Sequence, residues 1–297
     1  VTVSGEGFAK DEGATYKVTG SRTKVGTSKN TFTYELKSNT KASNYNIEVK
    51  FGELKVTAQD GEVVVTITGH SDSVDYDGNE KSVSGYDVAI TEGSKYTTDD
   101  FTFSGIAEVK GTEAGTYHMN LAADQFANTN TNYEKVRFVV NDGSLTINPK
   151  SITPDGPDTP KEEKTGITVT KPSDSKYNGE EHRNKPIVTD TKTDRTLVEG
   201  TDYELSYSKD VINAGTVTVT VTGIGNYEGS FEVTYEITKR NVTLTSGSAS
   251  RVYNKEALTN DTVTVGGDKF AKKEGATYNV TGMQIEKGSS KNTFTYT

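Results

Sequence analysis

Residues 1–34 read VTVSGEGFAKDEGATYKVTGSRTKVGTSKNTFTY, and residues 263–296 read VTVGGDKFAKKEGATYNVTGMQIEKGSSKNTFTY. The two stretches align without insertion or deletion, with Val1 opposite Val263 and Tyr34 opposite Tyr296. Chance convergence on so long a string is implausible, so the chain contains an internal repeat. We therefore expect one period of a tandem array, which starts inside one repeat and stops inside the next copy of that repeat.

The predicted domain map has five parts, separated by turn residues and by composition. They are residues 1–58, the C-terminal part of a first repeat; 62–149, a second β domain; 150–164, a proline-rich linker; 165–239, a third, Ig-like β domain; and 240–297, the N-terminal part of the next copy of the first repeat. Four of the six prolines lie in or beside that linker, at Pro149, Pro154, Pro157 and Pro160. This composition predicts a semi-extended spacer that protease cleaves first, between Ile152 and Lys164.

Short motifs recur in the repeats. A Tyr-Asp-Gly or Tyr-Asn-Gly follows the opening strand at Tyr76-Asp77-Gly78 and Tyr177-Asn178-Gly179, and such pairs form turns because both residues tolerate positive φ. An Ala-Gly-Thr comes later in the second and third repeats, with Gly26-Thr27 in its place in the first. An Asn-Tyr then precedes the closing strands, at Asn44-Tyr45, Asn132-Tyr133 and Asn226-Tyr227.

Alternation of apolar and polar residues predicts half-buried antiparallel strands. Residues 216–222 alternate Val with Thr, residues 231–237 alternate apolar residues with Glu and Thr, and residues 45–51 alternate apolar residues with Asn, Glu and Lys. We expect an all-β fold of tandem small antiparallel β-sandwich (Ig-like) domains of ~75–90 residues each. A β-grasp fold is the alternative for the first two repeats, because Leu121–Phe126 could pack as its helix.

The composition excludes several classes of function. The chain has a net charge of −9 and a sequence pI of about 5.1, with no Cys and no Trp. The absence of Cys excludes disulfides, thiolate catalysis and Cys-ligated zinc. The acidic balance disfavours binding to nucleic acid or to an anionic membrane, because neutralising phosphates needs clustered Lys and Arg. No apolar run approaches the length of a membrane span.

The densest acidic cluster comprises Asp72, Asp75, Asp77 and Glu80. Asp-x-Asp-Gly hints at a calcium loop, but such a loop also needs a distal Glu at a fixed spacing, which is absent. The third repeat has Lys176 in place of Asp75, so the cluster is interpreted as a charged turn.

The only imidazoles are His70, His118 and His182, and no Ser lies in a nucleophile-elbow context. The sequence therefore predicts no enzyme, no catalytic residue, no metal ligand and no cofactor.

The Tyr-Asp-Gly turn, Ala114-Gly115-Thr116-Tyr117, and the Asn-Tyr followed by Gly143-x-Leu145-Thr146-Ile147 resemble YDG-type and MBG-type β repeat domains. Such domains occur in long, wall-anchored surface proteins of Gram-positive bacteria, especially gut Clostridia. One departure is that the last repeat reads Tyr253-Asn254-Lys255, where the missing glycine predicts a turn of another type.

The resemblance implies an extracellular stalk or adhesin at the bacterial cell wall. It offers no catalytic residue to carry over. A carbohydrate-binding module, or an accessory region of a secreted glycan-degrading enzyme, is the alternative. The expected partners are neighbouring repeats of the same protein; a host or microbial surface glycan or protein could be another, and the sequence does not identify it.

The half-repeats at the two ends predict self-association. Residues 1–57 lack an opening strand, whereas Val242–Thr245 provides one. An unpaired sheet edge accepts a strand from another chain. Head-to-tail exchange of this strand would not close on itself and would propagate as a fibre.

Overall fold

The computed structural model describes residues 1–297 and contains strands and turns but no α-helix, which confirms the all-β prediction. Three 3-10 turns occur, at Ala42–Asn44, Thr98–Asp100 and Ala123–Gln125. Leu121–Phe126 forms only the last of these turns, so the helix that a β-grasp fold requires is missing there. No helix has the length and apolar composition of a membrane span.

The chain divides into two compact units. Unit A consists of residues 1–73, 81–111 and 116–146, and unit B consists of residues 74–80, 112–115 and 147–297. Two loops of the second repeat, 74–80 and 112–115, therefore group with the third repeat. The five-part domain map stays a prediction, because contacts alone do not separate its parts.

The first repeat is a pair of two-stranded sheets. Its strands are β1 (Ala14–Val18), β2 (Gly26–Asn30), β3 (Phe32–Leu36) and β4 (Gly52–Val56). β1 pairs antiparallel with β3, and β2 with β4. The strand predicted over residues 45–51 is wrong: this stretch has no strand partner, and Ile47, Val49 and Phe51 are 38–41% exposed.

The second repeat contains ten strands. They are β5 (Val63–Gly69), β6 (Asp72–Asp75), β7 (Lys81–Ser84), β8 (Tyr86–Ile90), β9 (Phe101–Phe103), β10 (Glu108–Gly111), β11 (Gly115–His118), β12 (Phe126–Asn128), β13 (Val136–Asn141) and β14 (Ser144–Asn148). The strand orders are β13-β5-β8, β11-β14-β6, β10-β7 and β12-β9. Aromatic rings including Phe101 and Phe126 pack on β5, whose Val65 and Ile67 are fully buried.

Not every pairing is antiparallel, so that part of the fold prediction needs correction. β5 runs parallel to β13, with Val65 opposite Phe138 and Ile67 opposite Val140. A parallel pair requires a long crossover between its strands, and most of the second repeat separates these two. Alternation within a strand identifies its buried face but carries no information about the direction of its neighbour.

The third repeat is built around long strands. Its strands are β15 (Lys150–Ser151), β16 (Ile167–Thr170), β17 (Ser175–Lys176), β18 (Ile187–Asp190), β19 (Arg195–Thr196), β20 (Tyr203–Tyr207), β21 (Gly215–Gly223), β22 (Tyr227–Glu228) and β23 (Ser230–Thr238). They form the sheets β17-β23-β21-β20, β16-β18-β19 and β15-β22. The predicted alternation is confirmed, because Val217, Val219 and Val221 are at most 1% exposed while Glu232 and Glu236 face solvent.

The spacer predicted at residues 150–164 begins later in the structure. Lys150 and Ser151 form β15, which pairs parallel with β22, and Ile152 is fully buried. The remaining stretch is a closed loop. The Asp155 carboxylate accepts hydrogen bonds from the amides of Thr165 and Gly166, both at 2.8 Å. Proline content indicated irregular backbone but could not show that the loop ends are held together.

The last repeat has four strands: β24 (Val242–Ser246), β25 (Val263–Gly267), β26 (Tyr278–Val280) and β27 (Phe294–Tyr296). β24 pairs with β25 and β26 with β27, both antiparallel. Ala271 is the only buried hydrophobic residue of this repeat. Its strands therefore lack the dense core of the second and third repeats.

Candidate functional site: the joints between repeats

The Asn-Tyr motif of the second repeat holds the first repeat. The Val25 amide donates a hydrogen bond to Asn132 Oδ1 at 2.8 Å, and the Gln59 amide donates to the Asn132 carbonyl at 3.1 Å. Gln59 also forms an isolated parallel bridge with Tyr133. One asparagine thus accepts hydrogen bonds from a turn of the first repeat and from the segment that links the two repeats.

The same arrangement recurs with the Asn-Tyr of the third repeat. The Ala114 amide donates to Asn226 Oδ1 at 2.6 Å, and the Lys150 amide donates to the Asn226 carbonyl at 2.9 Å. The Asn226 side-chain amide donates to the Glu113 carboxylate. Val25 and Ala114 each directly precede the glycine of the motif Gly-Thr. The motifs that define the repeats therefore form the hydrogen bonds that join one repeat to the next.

The Tyr-Asp-Gly turn lies at the second joint. The Tyr76 ring meets the Tyr227 ring edge to face, with centroids 5.8 Å apart, and the two side chains are 7% and 2% exposed. Burial raises the pKa of both phenols. Gly78 has φ +79, and a Cβ there would lie 3.1 Å from Cγ2 of Thr193. Glycine is therefore favoured in this turn by its backbone conformation and by its close approach to the third repeat.

A buried ion pair lies beneath Tyr227. Lys150 Nζ is 2.6 Å from Asp190 Oδ2; the Lys150 side chain is only 9% exposed, and the Asp190 side chain is fully buried. The Tyr227 hydroxyl donates to the same Asp190 oxygen at 3.2 Å. Nearby, the buried Asp202 binds Arg195 through two 2.8 Å contacts. A buried charge needs such partners, so the first strand of the third repeat is anchored by charge as well as by backbone pairing.

The third repeat holds the last repeat through its Tyr-Asn-Gly turn. The Tyr177 hydroxyl donates to Glu274, which raises the pKa of the phenol. Lys176 Nζ lies 2.9 Å from Asp268 Oδ1. The pKa of Asp268 is lowered, first by the hydrogen bond from the Asn241 amide and then by Lys176. Arg240 donates to the Tyr177 carbonyl at 3.1 Å. This joint is more exposed than the second: the Lys176 and Asp268 side chains are 51% and 27% exposed.

The turn of the last repeat keeps the shape of the other two, so the prediction of another turn type is wrong. Lys255 has φ +70, close to the values of Gly78 and Gly179, +79 and +83. Asn254 Oδ1 accepts from the Glu256 amide at 3.1 Å, as Asn178 does from the Glu180 amide. Positive φ is costly for lysine, and the asparagine bond offsets part of that cost. Tyr253 in this turn is 54% exposed.

The acidic cluster at residues 72–80 supports local backbone structure. Asp72 accepts from the Ser73 amide at 2.8 Å, and Asp77 accepts from the Asn79 amide at 3.0 Å. Asp75 accepts from the Asn148 side chain at 3.1 Å. No three acidic or His side chains lie close enough together to hold a metal ion.

The three histidines have separate surroundings. His70 contacts the Ser84 carbonyl at 2.8 Å and Asp87 at 3.4 Å, and these contacts raise its pKa, the carbonyl contributing most. His118 lies 3.8 Å from Asp142. The buried Nε2 of His182 has no hydrogen-bond partner.

An MBG domain is present at residues 63–149, where the chain matches the model of that family. MBG domains are typical of bacterial surface repeat proteins. The match covers the second predicted domain, 62–149, except for Glu62. No curated protein matches the chain.

The sequence showed the joint residues but not their role. The sequence predicts a turn at Tyr76 and places Asn132 and Asn226 just before the closing strands. The available signal was that each motif recurs in three repeats, because a residue needed only within one domain could vary from repeat to repeat. The partners, however, lie in other repeats: Val25 is 107 positions from Asn132, and Ala114 is 112 positions from Asn226. No spacing rule connects them.

Proposed function

We propose that this chain is a structural stalk segment of a bacterial surface protein, extracellular and attached to the cell wall, which spaces or mediates adhesion. One observation carries the proposal: the hydrogen bond from the turn before Gly-Thr to the asparagine of the next Asn-Tyr occurs at two successive joints, Val25–Asn132 and Ala114–Asn226. A repeated joint fixes each repeat on its neighbour, as a stalk requires. The MBG domain supports this class of protein. The YDG and Clostridia assignments rest on the resemblance alone.

Joint stiffness is the property to test. The chain has no cysteine, so spin labels attach only to cysteines that are introduced. Glu35→Cys and Ala89→Cys place one label on each side of the first joint, both at exposed strand positions. Pulsed electron paramagnetic resonance should give a narrow distance distribution that Asn132→Ala broadens. Asn44→Ala is the matched control, because the Asn44 side chain makes no hydrogen bond. A distance distribution that is already broad in the parent chain, or that Asn132→Ala leaves unchanged, would contradict the proposal that this hydrogen bond stiffens the stalk.

Two further measurements separate the proposed function from its alternative. Antibodies against the chain should label intact source cells, and a glycan array should give no binding. Array binding that is lost on mutation of exposed tyrosines would favour a carbohydrate-binding module instead.

A further inference from the structure

The first and last strands of the second repeat run side by side in the same direction. Here the first segment is residues 63–76, which contains β5 and β6, and the last segment is residues 136–148, which contains β13 and β14. β5 pairs parallel with β13 over six residues, beginning with Val63 opposite Val136. The beginning and the end of this domain are thus joined along a strand pair rather than at a single point.

The pairing continues past β5 and β13 with the same spacing. The Ser144 amide donates to the Ser71 hydroxyl at 3.0 Å, across 73 positions of the chain. The Asn148 side chain donates to the Asp75 carboxylate at 3.1 Å, again across 73 positions. The Tyr76 amide donates to the Asn148 carbonyl at 2.9 Å, and β14 is hydrogen-bonded to β6. Because the spacing stays constant, the two segments lie parallel over their whole length.

Two glycines keep the segments in contact where they pass from one sheet to the next. Gly69 is the last residue of β5, and Gly143 lies between β13 and β14. A Cβ on Gly69 would overlap the Gly143 backbone, and a Cβ on Gly143 would overlap the His70 carbonyl. The two backbones are therefore in direct contact between the sheet β13-β5-β8 and the sheet β11-β14-β6.

Buried side chains surround the pair. Val65 and Ile67 of β5 and Leu145 and Ile147 of β14 are at most 1% exposed. β5 has β8 on its other edge, and β14 has β11 on its other edge. A hydrogen bond in apolar surroundings is stronger than one in water, so the bonds between the segments are well placed to resist rupture.

The third repeat has parallel contacts of the same kind, but they are short. β15 pairs with β22 and β17 with β23, both parallel, and each pair has only two residues. Between β15 and β17 lies β16, which pairs antiparallel with β18. The third repeat therefore has no long parallel pair between its first and last strands.

We propose that the second repeat is a mechanical clamp, which resists tension applied along the chain. Tension enters the domain at residue 63 and leaves it at residue 148. Because the segments are parallel, these residues lie at opposite ends of the pair, and the pull slides one segment along the other. The evenly spaced hydrogen bonds of a parallel pair then share the pull and must break together. Forced unfolding is governed by the unfolding rate, so this geometry prolongs the folded state under tension.

The use of a clamp rests on the proposed stalk, because a stalk transmits tension between the two things that it connects. The clamp itself depends only on hydrogen bonds within one domain, whereas the stalk depends on the joints between repeats. Rupture force therefore tests the clamp, and the distance between labels at Glu35→Cys and Ala89→Cys tests the stalk. Either proposal can fail while the other stands.

Pulling the same domain in two directions tests the clamp. The chain has no cysteine, so the DNA handles of an optical-tweezers experiment attach only to introduced cysteines in the full chain. Asp60→Cys with Asp158→Cys, both at exposed positions, applies tension along the segments. Asp60→Cys with Glu134→Cys is the matched control. Asp60 and Glu134 precede the two segments at the same end of the pair, so the same hydrogen bonds break one after another.

The unfolding force should be several-fold higher along the segments than in the control direction. Unfolding of the domain releases on the order of 250 Å of chain in either direction, at about 3.5 Å per residue, which identifies the event. Equal forces in the two directions, or a lower force along the segments, would overturn the proposal.

The third repeat provides a second comparison in the same chain. Asp158→Cys with Lys239→Cys, also at exposed positions, applies tension to the third repeat. Because β17 and β23 pair over only two residues, this repeat should unfold at a lower force than the second. A third repeat that resists as much force as the second would contradict the role given to the long parallel pair.

Discussion

The backbone amide of Ala114 donates a hydrogen bond to the side-chain oxygen of Asn226 at 2.6 Å, across 112 positions of the chain. The two residues belong to motifs of different repeats. We expect Asn226→Ala to lower the free energy of unfolding by roughly 1–3 kcal/mol, because the side-chain hydrogen bonds to the Ala114 amide and to the Glu113 carboxylate are both lost and the Ala114 amide becomes unsatisfied. Chemical denaturation measures this loss. Asn44→Ala changes the equivalent asparagine of the first repeat and should leave stability unchanged.

The ring of Tyr76 should matter far more than that of Tyr253, although both occupy the same motif position. Tyr76→Ala removes a ring that is 7% exposed and packs on Tyr227, and we expect a loss of roughly 3 kcal/mol. Tyr253 is 54% exposed, so Tyr253→Ala should cost less than about 0.5 kcal/mol in dilute protein. Thermal denaturation of both variants gives the comparison. Equal losses would show that Tyr76 does not support the joint.

The pair formed by Lys150 and Asp190 should be sensitive to removal of one partner. Lys150→Met leaves a buried carboxylate unpaired, and a loss of about 3–5 kcal/mol is expected. The double variant Lys150→Met with Asp190→Leu should recover much of it, because no uncompensated charge remains. Arg183 and Glu181 are about half exposed, and Arg183→Met should have little effect. A double variant as unstable as Lys150→Met would contradict this reading of the pair.

Acid should open the loop between Ile152 and Gly166. Burial alone would raise the pKa of Asp155, but hydrogen bonds from the Gly166 and Thr165 amides outweigh it and lower the pKa below its ordinary value of 3.8. A carboxylate with a lowered pKa stabilises the fold at neutral pH and loses that contribution as pH falls through the lowered value. Nuclear magnetic resonance titration should show a midpoint below 3.8, with shifts of both amides.

A proteolysis experiment at neutral pH checks the same contact. Asp155→Ala should speed cleavage between Thr153 and Lys164, whereas Asp158→Ala, at an exposed position in the same loop, should not. First cleavage inside β21 or β5 in the parent chain would show that this loop is not the most accessible segment.

Strand alternation predicted the buried faces of β21 and β23 well, because each has a full set of neighbours in its own repeat. It failed at residues 45–51, where the pattern is equally clear but no strand lies alongside. The two-residue alternation of apolar and polar residues determines which side chains share a face. A strand forms only where its backbone also has a hydrogen-bonding partner. Residues 26–30 form β2, which pairs with β4, whereas residues 288–292 have nearly the same sequence but form no strand.

Local sequence was also an incomplete guide to the turns and joints. Lys255 adopts the positive φ expected only of glycine, because Asn254 and the surrounding backbone keep the turn. Lys150 was assigned to a spacer by its proline neighbours, yet its partner Asp190 is 40 positions further along the chain. Contacts over such separations depend on the fold as a whole, so sequence reasoning found the motifs but not what they bind.

The hydrogen-exchange rates of three backbone amides test most directly whether the amide before Gly-Thr is bonded to the asparagine of the next repeat. Val25, Ala114 and Ala214 each precede the glycine of a Gly-Thr, but only the first two donate to an asparagine of the next repeat. In dilute, unmodified protein, hydrogen exchange should be slow at Val25 and Ala114 and fast at Ala214, because exchange requires the hydrogen bond to open. Fast exchange at Val25 and Ala114, or equal protection at all three amides, would contradict the claim that these hydrogen bonds join successive repeats.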